Sequence, residues 1–455
     1  MKRFLAIFLC FCMLIALVSC DLVKDDTNTN DTENKNESNE NQNNENTENT
    51  ENTENTENTE NTEDESALKL SSLEDMMLPL LGGNNGTVLN ETVMFIDYGD
   101  EKTLLYPIDT VISVTSYDGT KTYKAGTDYT VVDGKLKILE GSSIPCITSD
   151  VYYNYTSSSS TKLMTMHNGK VTETYWGEGQ ITTKWQVNVN YTHKAEWDGF
   201  AQECLSDTFK NFLTKLENGE DVTIMFYGDS ITRGANASWH NNYAPYQYPY
   251  TIMFTNALAD LYGYEVRYID TGITSTSKVP SSNYKAGTNG TITYINPSIG
   301  GWSSQDGVNN LNVHVKPFVE QYGCDLFVSG LGMNDINTGY KTTVSNVKTI
   351  LDGVWALDED CSALIISTMV PNPDDLNRYR NQPKQESPLK NAAAKYVEDG
   401  KECGVACVTS TSLSILKKKI FSDYSGNNIN HPNDFFIRIY AQTMIQALIG
   451  YENIK

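Results

Sequence analysis

A serine and a histidine carry the clearest chemistry in this sequence. Gly228-Asp229-Ser230 directly follows an apolar run, and His431 comes just before an amphipathic stretch. A serine hydroxyl is a weak nucleophile until a base takes its proton, and histidine is the commonest such base. A serine between a strand and a helix also has its backbone N–H near the positive helix end, which favours a developing oxyanion. The pair predicts nucleophilic catalysis, with Ser230 as nucleophile and His431 as its base.

Two further segments offer donors for that oxyanion. The paired glycines before Trp302 allow the backbone at Gly301 to approach a substrate closely. The segment Gly332-Met333-Asn334 directly follows the apolar run 325–331, which places the Asn334 carboxamide at the end of a strand. Open parallel sheets hold their sites just beyond the carboxyl ends of the strands. We therefore expect these groups to gather at one edge of a sheet.

In order and spacing, Ser230, Gly301, Asn334 and His431 resemble the four sequence blocks of the SGNH (GDSL-like) hydrolases. The resemblance covers roughly residues 220–455. It implies a serine esterase in which Ser230 is the nucleophile and His431 the base. It further implies an oxyanion hole made by the backbone N–H groups of Ser230 and Gly301 and by the Asn334 side chain. Among the members of that superfamily, the pattern is closest to two-domain carbohydrate acetylesterases.

The sequence departs from the SGNH pattern three residues before the histidine. The family has an aspartate that orients the imidazole there, and this chain has Asn428. An amide oxygen can accept the imidazole N–H but brings no charge, and a comparable change in a serine protease costs about 10⁴ in rate. Three interpretations stay open: a Ser–His dyad, which we favour, an acid supplied by Asp423 or Asp434, or an inactive site.

Aromatic and polar residues near these segments bear on the substrate class. Trp302 and Trp239 offer aromatic faces that suit sugar rings, although both fit a protein core equally well, and His240 and Asp229 are further candidates for the cleft. Among the candidate reactions we favour deacetylation of a polysaccharide or oligosaccharide. A lysophospholipase or thioesterase is the rival enzyme, and a non-catalytic carbohydrate-binding surface protein is the rival from another class. No His or Cys cluster has metal-ligand spacing and no glycine loop has a nucleotide fingerprint, so no cofactor is predicted.

From about residue 220, apolar strands alternate with amphipathic helices, which is typical of a parallel sheet covered on both faces. The predicted strands are 222–227, 265–270, 325–331, 363–370 and 405–410. The predicted helices are Tyr250–Tyr262, Val344–Ala356, Leu389–Gly400 and Pro432–Ile449. The fold class is therefore α/β, a three-layer α/β/α sandwich of the flavodoxin-like SGNH type over residues 196–455.

Residues 66–195 have a different composition. Short alternating runs rich in Thr, Tyr and Val are separated by Asp-Gly and Gly turns, which predicts antiparallel strands. We expect a small all-β sandwich of about eight strands as an accessory domain. Its frequent aromatic residues fit either a carbohydrate-binding platform or sheet packing.

The first 65 residues predict export and anchoring. Lys2 and Arg3 precede an apolar run, as in a secretory signal peptide over residues 1–19, and Cys20 ends a segment that resembles a bacterial lipobox. Residues 20–65 form a tether rich in Asn, Glu and Thr that cannot bury enough surface to fold. The sequence thus predicts a lipid-anchored protein at the cell surface, held to the membrane through Cys20.

The net charge of the chain argues against some classes of binding partner. The whole chain carries −24, of which residues 66–455 contribute about −12. An acidic surface of this size argues against binding to nucleic acid or to anionic lipid.

Overall fold

The structure, a computed structural model, describes residues 72–83, 86–158, 162–273 and 278–451. The predicted signal peptide, the Cys20 anchor and the tether lie outside these residues. No helix in the described ranges has both the length and the apolar content needed to cross a bilayer.

The region before residue 195 is built mostly of short strands. Within its described part they are β1 (Thr87–Ile96), β2 (Glu101–Lys102), β3 (Thr110–Ser116), β4 (Thr122–Tyr123), β5 (Tyr129–Val132), β6 (Lys135–Ile138), β7 (Cys146–Ile147), β8 (Met164–His167), β9 (Lys170–Glu173) and β10 (Gln186–Thr192), with the short helices α1 (Leu73–Met77) and α2 (Ser149–Tyr153). They form a five-stranded sheet in the order β4-β3-β10-β1-β7, a three-stranded sheet β2-β6-β5 and the hairpin β8-β9. Phe95 of β1, Val187 of β10 and Leu136 of β6 belong to one buried cluster, so the two larger sheets share a core.

The remainder is an α/β fold. Its strands are β11 (Val222–Gly228), β12 (Glu265–Ile269), β13 (Tyr284–Lys285), β14 (Thr291–Ile295), β15 (Leu326–Gly330), β16 (Ser362–Ser367) and β17 (Cys403–Cys407). Its helices are α3 (Lys210–Glu217), α4 (Ser230–Arg233), α5 (Tyr250–Tyr262), α6 (Ser304–His314), α7 (Lys316–Tyr322), α8 (Tyr340–Trp355), α9 (Leu376–Tyr379), α10 (Glu386–Glu398), α11 (Val408–Leu416) and α12 (Asp434–Ile449). The sheet order is β13-β12-β14-β11-β15-β16-β17, and only the β12–β13 pair is antiparallel.

Side-chain alternation along β11 builds the three layers. Ile224 and Phe226 join the cluster that contains α5 and α12, whereas Met225 and Tyr227 join the cluster that contains α7, α8 and α10. A strand buried on both faces reads as a continuous apolar run, as β11 does. The predicted three-layer α/β/α class is therefore confirmed.

Each predicted strand and helix corresponds to an observed element, but strands β13 and β14 and several helices, α6 and α11 among them, were not predicted. Helix α5 has the predicted bounds, and α12 begins at Asp434 because the Asn433 side chain accepts the Phe436 N–H and caps it. Strand β14 was missed, although it pairs with β11 and β12 near the middle of the sheet. Its five residues alternate Thr and apolar side chains, a signal too short to stand out from the surrounding turns.

The two regions meet across helix α12. Nearly every side chain of α12 is buried, and its Arg438 donates from Nη2 to the carbonyls of Leu89 and Asn90 at 2.8 Å each. A second buried contact joins Lys419 to Glu91 of β1, with Nζ and Oε1 2.6 Å apart and both side chains inaccessible to solvent. The β-rich region therefore packs directly on the α/β region.

Candidate active site

Ser230 and His431 are in direct contact. Ser230 Oγ lies 2.9 Å from His431 Nε2, and both residues are less than a tenth exposed. The two residues are brought together by the sheet, since Ser230 begins α4 at the end of β11 and His431 precedes α12. A nucleophile and base within hydrogen-bond reach form the basic unit of serine catalysis.

The turn that carries Ser230 is held rigidly. A Cβ on Gly228 would lie 2.1 Å from Thr232 Oγ1 and 2.8 Å from the Gly330 carbonyl, so only glycine fits between β11 and β15. The neighbouring loop clamps the same residue, because Gly228 N donates to Ser298 Oγ at 2.9 Å and the Gly228 carbonyl accepts from Ile299 N at 3.2 Å. These contacts fix the position of Ser230 relative to the loop ending at Gly301.

The predicted oxyanion donors line one cleft with Ser230. Ser230, Gly301 and Asn334 all contribute to its wall. Gly301 has φ +81°, in the left-handed region that favours glycine. Asn334 uses one amide hydrogen to bond the Trp302 carbonyl at 3.1 Å, which orients the carboxamide. An amide has two hydrogens, so Asn334 retains one for an oxyanion.

The turn before His431 is organised by Asn427. Its Oδ1 accepts from the N–H groups of Ile429, Asn430 and His431 at 2.9 to 3.0 Å. Ser425 Oγ in turn donates to the His431 carbonyl at 2.8 Å. Side chains thus hold both the N–H and the carbonyl of His431.

The orienter of the imidazole differs from all three predicted candidates. His431 Nδ1 lies 2.8 Å from Asn236 Oδ1 and 3.2 Å from Glu178 Oε2. Because Nε2 faces Ser230, a neutral ring that accepts the serine proton carries its own hydrogen on Nδ1 and donates it to these oxygens. The amide and the carboxylate therefore occupy the place expected for Asn428, Asp423 or Asp434.

Asn428 is engaged elsewhere because its backbone points it away from the ring. It adopts φ +61°, and its Nδ2 donates to the Tyr152 hydroxyl at 3.1 Å and to the Tyr175 carbonyl at 2.7 Å. Its Oδ1 accepts from Asn372 Nδ2 at 3.1 Å. Asn428 therefore links the His431 turn to the β-rich region.

The two aspartates also serve other contacts. Asp423 Oδ1 accepts from Met94 N at 2.9 Å, which attaches its segment to β1. Asp434 Oδ1 accepts from Ser238 N at 2.9 Å, and burial raises the pKa of this carboxyl to about 6. Neither side chain is a hydrogen-bond partner of His431.

Asp229 caps α4 from a fully buried position. Its Oδ1 accepts from Ile231 N at 3.0 Å. Burial raises the pKa of Asp229 to about 7, and the Asp335 carboxylate adds to the rise while His431 and the Ile231 N–H oppose it. Asp229 therefore supports the turn that carries Ser230 and does not line the cleft.

This burial makes the stability of the fold depend on pH. The folded pKa of Asp229 lies above the value of about 3.9 for an unfolded aspartate, so its contribution is fully present below pH 4 and is lost as pH rises through about 7. Asp229→Asn keeps the acceptor for Ile231 N without a titrating group. We expect urea unfolding to give equal stabilities near pH 4 and an advantage for the variant of the order of 4 kcal/mol at pH 8. An offset that is the same at every pH would contradict the assignment.

The predicted aromatic cleft residues pack inward. Trp302 makes edge contacts with Tyr227 and His314, and Trp239 stacks at a tilt on Tyr248. His240 is also half-buried, and burial with nearby positive charge lowers its pKa to about 4. None of the three lines the cleft beside Ser230.

The cleft beside Ser230 is polar. It has a volume of about 510 Å³. Its lining residues are Glu178, Gly179, Ser230, Arg233, Ala235, Asn236, Asn241, Gly300, Gly301, Asn334, Arg378, Asn430 and His431. None of these described residues has a phenyl, indole or large aliphatic side chain. In the described ranges no group of three or more His, Cys, Asp or Glu side chains is arranged to hold a metal ion.

Sequence reasoning missed Glu178 and Asn236. Asn236 lies six residues after the nucleophile at φ +63°, a conformation that only the structure reveals. Glu178 lies in the β-rich region, 253 residues before the histidine, and its only local signal is the pair of flanking glycines.

No protein-family model matches this chain, and no curated protein matches it. Solved structures similar to it include a two-domain esterase (CEX) active on acetylated mannans, at 15% identity and a TM-score of 0.37. That match covers 54% of each chain, so this chain spans about half the length of that esterase. An acetyl-xylooligosaccharide esterase from Geobacillus Stearmophilus is 14% identical with a TM-score of 0.37, over 51% of this chain and 96% of that one. A member of the lipolytic G-D-S-L family from Veillonella parvula is 16% identical with a TM-score of 0.33, over 50% and 97%.

Proposed function

We propose that this chain is a serine esterase of the SGNH type that removes O-acetyl groups from a polysaccharide or oligosaccharide. The observation that carries the proposal is the 2.9 Å contact between Ser230 Oγ and His431 Nε2 at the wall of an open cleft. Gly301 and Asn334 line the same cleft and supply donors where the oxyanion would form.

The reaction follows from these positions. Ser230 Oγ attacks the ester carbonyl carbon while His431 Nε2 takes the hydroxyl proton. The carbonyl oxygen becomes an oxyanion that accepts from the Ser230 and Gly301 N–H groups and from Asn334 Nδ2. As the tetrahedral intermediate collapses, the C–O bond to the alcohol breaks and His431 gives its proton to the departing sugar oxygen. Water then attacks the acyl-enzyme with His431 again as base, releasing the acid and returning the proton to Ser230.

The cleft wall favours a short acyl group on a polar alcohol. Asn241, Asn430, Arg233 and Arg378 bring amide and guanidinium groups to the cleft wall, and groups of these types can hydrogen-bond to sugar hydroxyls. A long acyl chain needs apolar surface to leave water, at about 0.8 kcal/mol for each buried CH₂. The described lining offers little of that surface, which supports deacetylation over the lysophospholipase or thioesterase alternative.

We further propose that the enzyme is exported and held at the cell surface through lipidated Cys20. Support comes from the basic and apolar residues before Cys20 and from the polar tether after it. One acyl chain anchors a protein only marginally, and a diacylated cysteine would meet the need for two chains.

Chain-length preference tests the proposed reaction. Full-length protein is assayed on p-nitrophenyl acetate and p-nitrophenyl octanoate, and acetate release is then measured from acetylated mannan and acetyl-xylooligosaccharides. We expect acetate to be preferred by at least tenfold in kcat/KM, because the octanoyl chain finds no apolar wall. Preference for octanoate would overturn the saccharide assignment in favour of lipid substrates. Sugar binding with no turnover of any ester would indicate the non-catalytic binding protein.

A further inference from the structure

We propose that Glu178 of the β-rich region is the acidic positioning residue of the catalytic histidine, an inference that rests on the proposed esterase function. The site would then be a Ser230–His431–Glu178 triad whose acid comes from outside the α/β fold. Position 428 holds an asparagine where the SGNH pattern has an aspartate, so that position gives the imidazolium no charged partner.

The carboxylate of Glu178 bridges the imidazole and the turn that carries it. Its Oε2 lies 3.2 Å from His431 Nδ1, and its Oε1 accepts from Asn427 Nδ2 at 2.9 Å. Asn427 is the residue that organises the backbone of His431. One side chain therefore contacts both the ring and the support of the ring.

The segment around Glu178 is attached to the catalytic region on both sides. Gly177 N donates to the Asn427 carbonyl at 3.1 Å, and Asn236 Nδ2 donates to the Gly179 carbonyl at 3.3 Å. Thr182 Oγ1 donates to the carbonyl of Ser425 at 3.2 Å. These contacts give Glu178 a fixed backbone at the cleft wall.

Asn236 and Glu178 have different tasks at Nδ1. The Asn236 amide oxygen, at 2.8 Å, holds the tautomer but has no charge to stabilise the imidazolium that forms during catalysis. Glu178 has that charge. Partial loss of water around the carboxylate works to raise the pKa of Glu178, but hydrogen bonds from His431 and Asn427 and the positive charge of Arg233 hold it below its usual range. Its side chain is 62% exposed, so solvent weakens the attraction without removing it.

Glu178→Gln removes the negative charge and keeps the size and planar shape of the side chain. Its Oε1 can still accept from Asn427, and Asn236 can still hold the tautomer. We expect kcat/KM for p-nitrophenyl acetate at pH 7 to fall about ten- to a hundredfold, the range for losing one charged hydrogen bond. The acidic limb of the pH profile should move to lower pH, because the imidazolium loses its counter-charge. The other charged groups near the ring, Asp229 and Arg233, are unchanged in this variant.

Glu140→Gln is the matched control, since Glu140 is an exposed glutamate of the same region. It should leave the rate and the pH profile unchanged. Thermal unfolding of both variants is compared with that of the natural chain, because a purely structural role would lower stability without moving the acidic limb. A rate loss below twofold, or a larger loss with the acidic limb unmoved, would overturn the proposal.

An NMR titration of the His431 imidazole separates this inference from the esterase assignment. In Glu178→Gln the ring should protonate at lower pH than in the natural chain, whether or not the protein turns over ester. A shifted titration with no turnover would support the Glu178 pairing and refute the esterase. Turnover by the natural chain with no shift in the titration would do the reverse.

Discussion

Ser230→Ala is expected to lower kcat for p-nitrophenyl acetate by about 10⁴ to 10⁶, the range for losing the nucleophile of a serine hydrolase. His431→Ala should cost a similar factor. Because the two groups act as one unit across their 2.9 Å contact, the double variant should lose little more than either single one.

The measurement is steady-state hydrolysis at equal concentrations of folded protein for every variant. Ser387→Ala is the matched control, because Ser387 is an exposed serine on α10, and it should retain full activity. If Ser230→Ala kept more than a tenth of the activity, another residue would have to be the nucleophile.

Lys419→Met is expected to destabilise the fold by about 3–5 kcal/mol, the usual cost of leaving a buried carboxylate without its partner. Glu91 Oε1 accepts from Lys419 Nζ at 2.6 Å and from Leu105 N at 2.9 Å, and Oε2 accepts from the Tyr191 hydroxyl at 2.7 Å. Without Lys419 the carboxylate stays buried and hydrogen-bonded but loses the cation that contacts it, and the guanidinium of Arg438 is the positive charge that remains nearby.

Urea unfolding at pH 7 measures this cost. Lys194→Met is the matched control, since Lys194 pairs with Asp109 at the same 2.6 Å distance but with side chains 82% and 39% exposed. An exposed pair contributes at most about 1 kcal/mol. Equal losses in the two variants would show that burial does not decide the contribution of the Glu91–Lys419 pair.

The sequence predicted the elements that depend on local pattern. Strand β11 and helix α5 have long, regular patterns of apolar residues, and both were placed correctly. The contact between Ser230 and His431 could be expected because each lies at the end of an element whose position in a parallel sheet follows from topology. The same rule predicted that Asn334 would lie at this edge of the sheet, where it lines the cleft.

The orienter could not be found in this way. Spacing placed Asn428 three residues before the histidine, but its left-handed backbone turns the side chain toward Tyr152 and Asn372. Glu178 reaches the ring only through the packing of one region on the other. The structure does not place Trp302 in the cleft, where we expected it from the sequence, for a related reason. Its neighbours in sequence do not show whether an indole faces the cleft or the core.

The position of α12 also governs how this chain can fold. The helix lies between β1 and the parallel sheet, yet it is synthesised more than 300 residues after β1, as the separation of 349 residues between Arg438 and Leu89 shows. Closing a loop of this length costs entropy before any contact compensates for it, and such non-local contacts slow folding. The β-rich region and the early strands must therefore wait for residues 434–449 with their apolar faces uncovered. Chaperone binding to the partly made chain should centre on those faces.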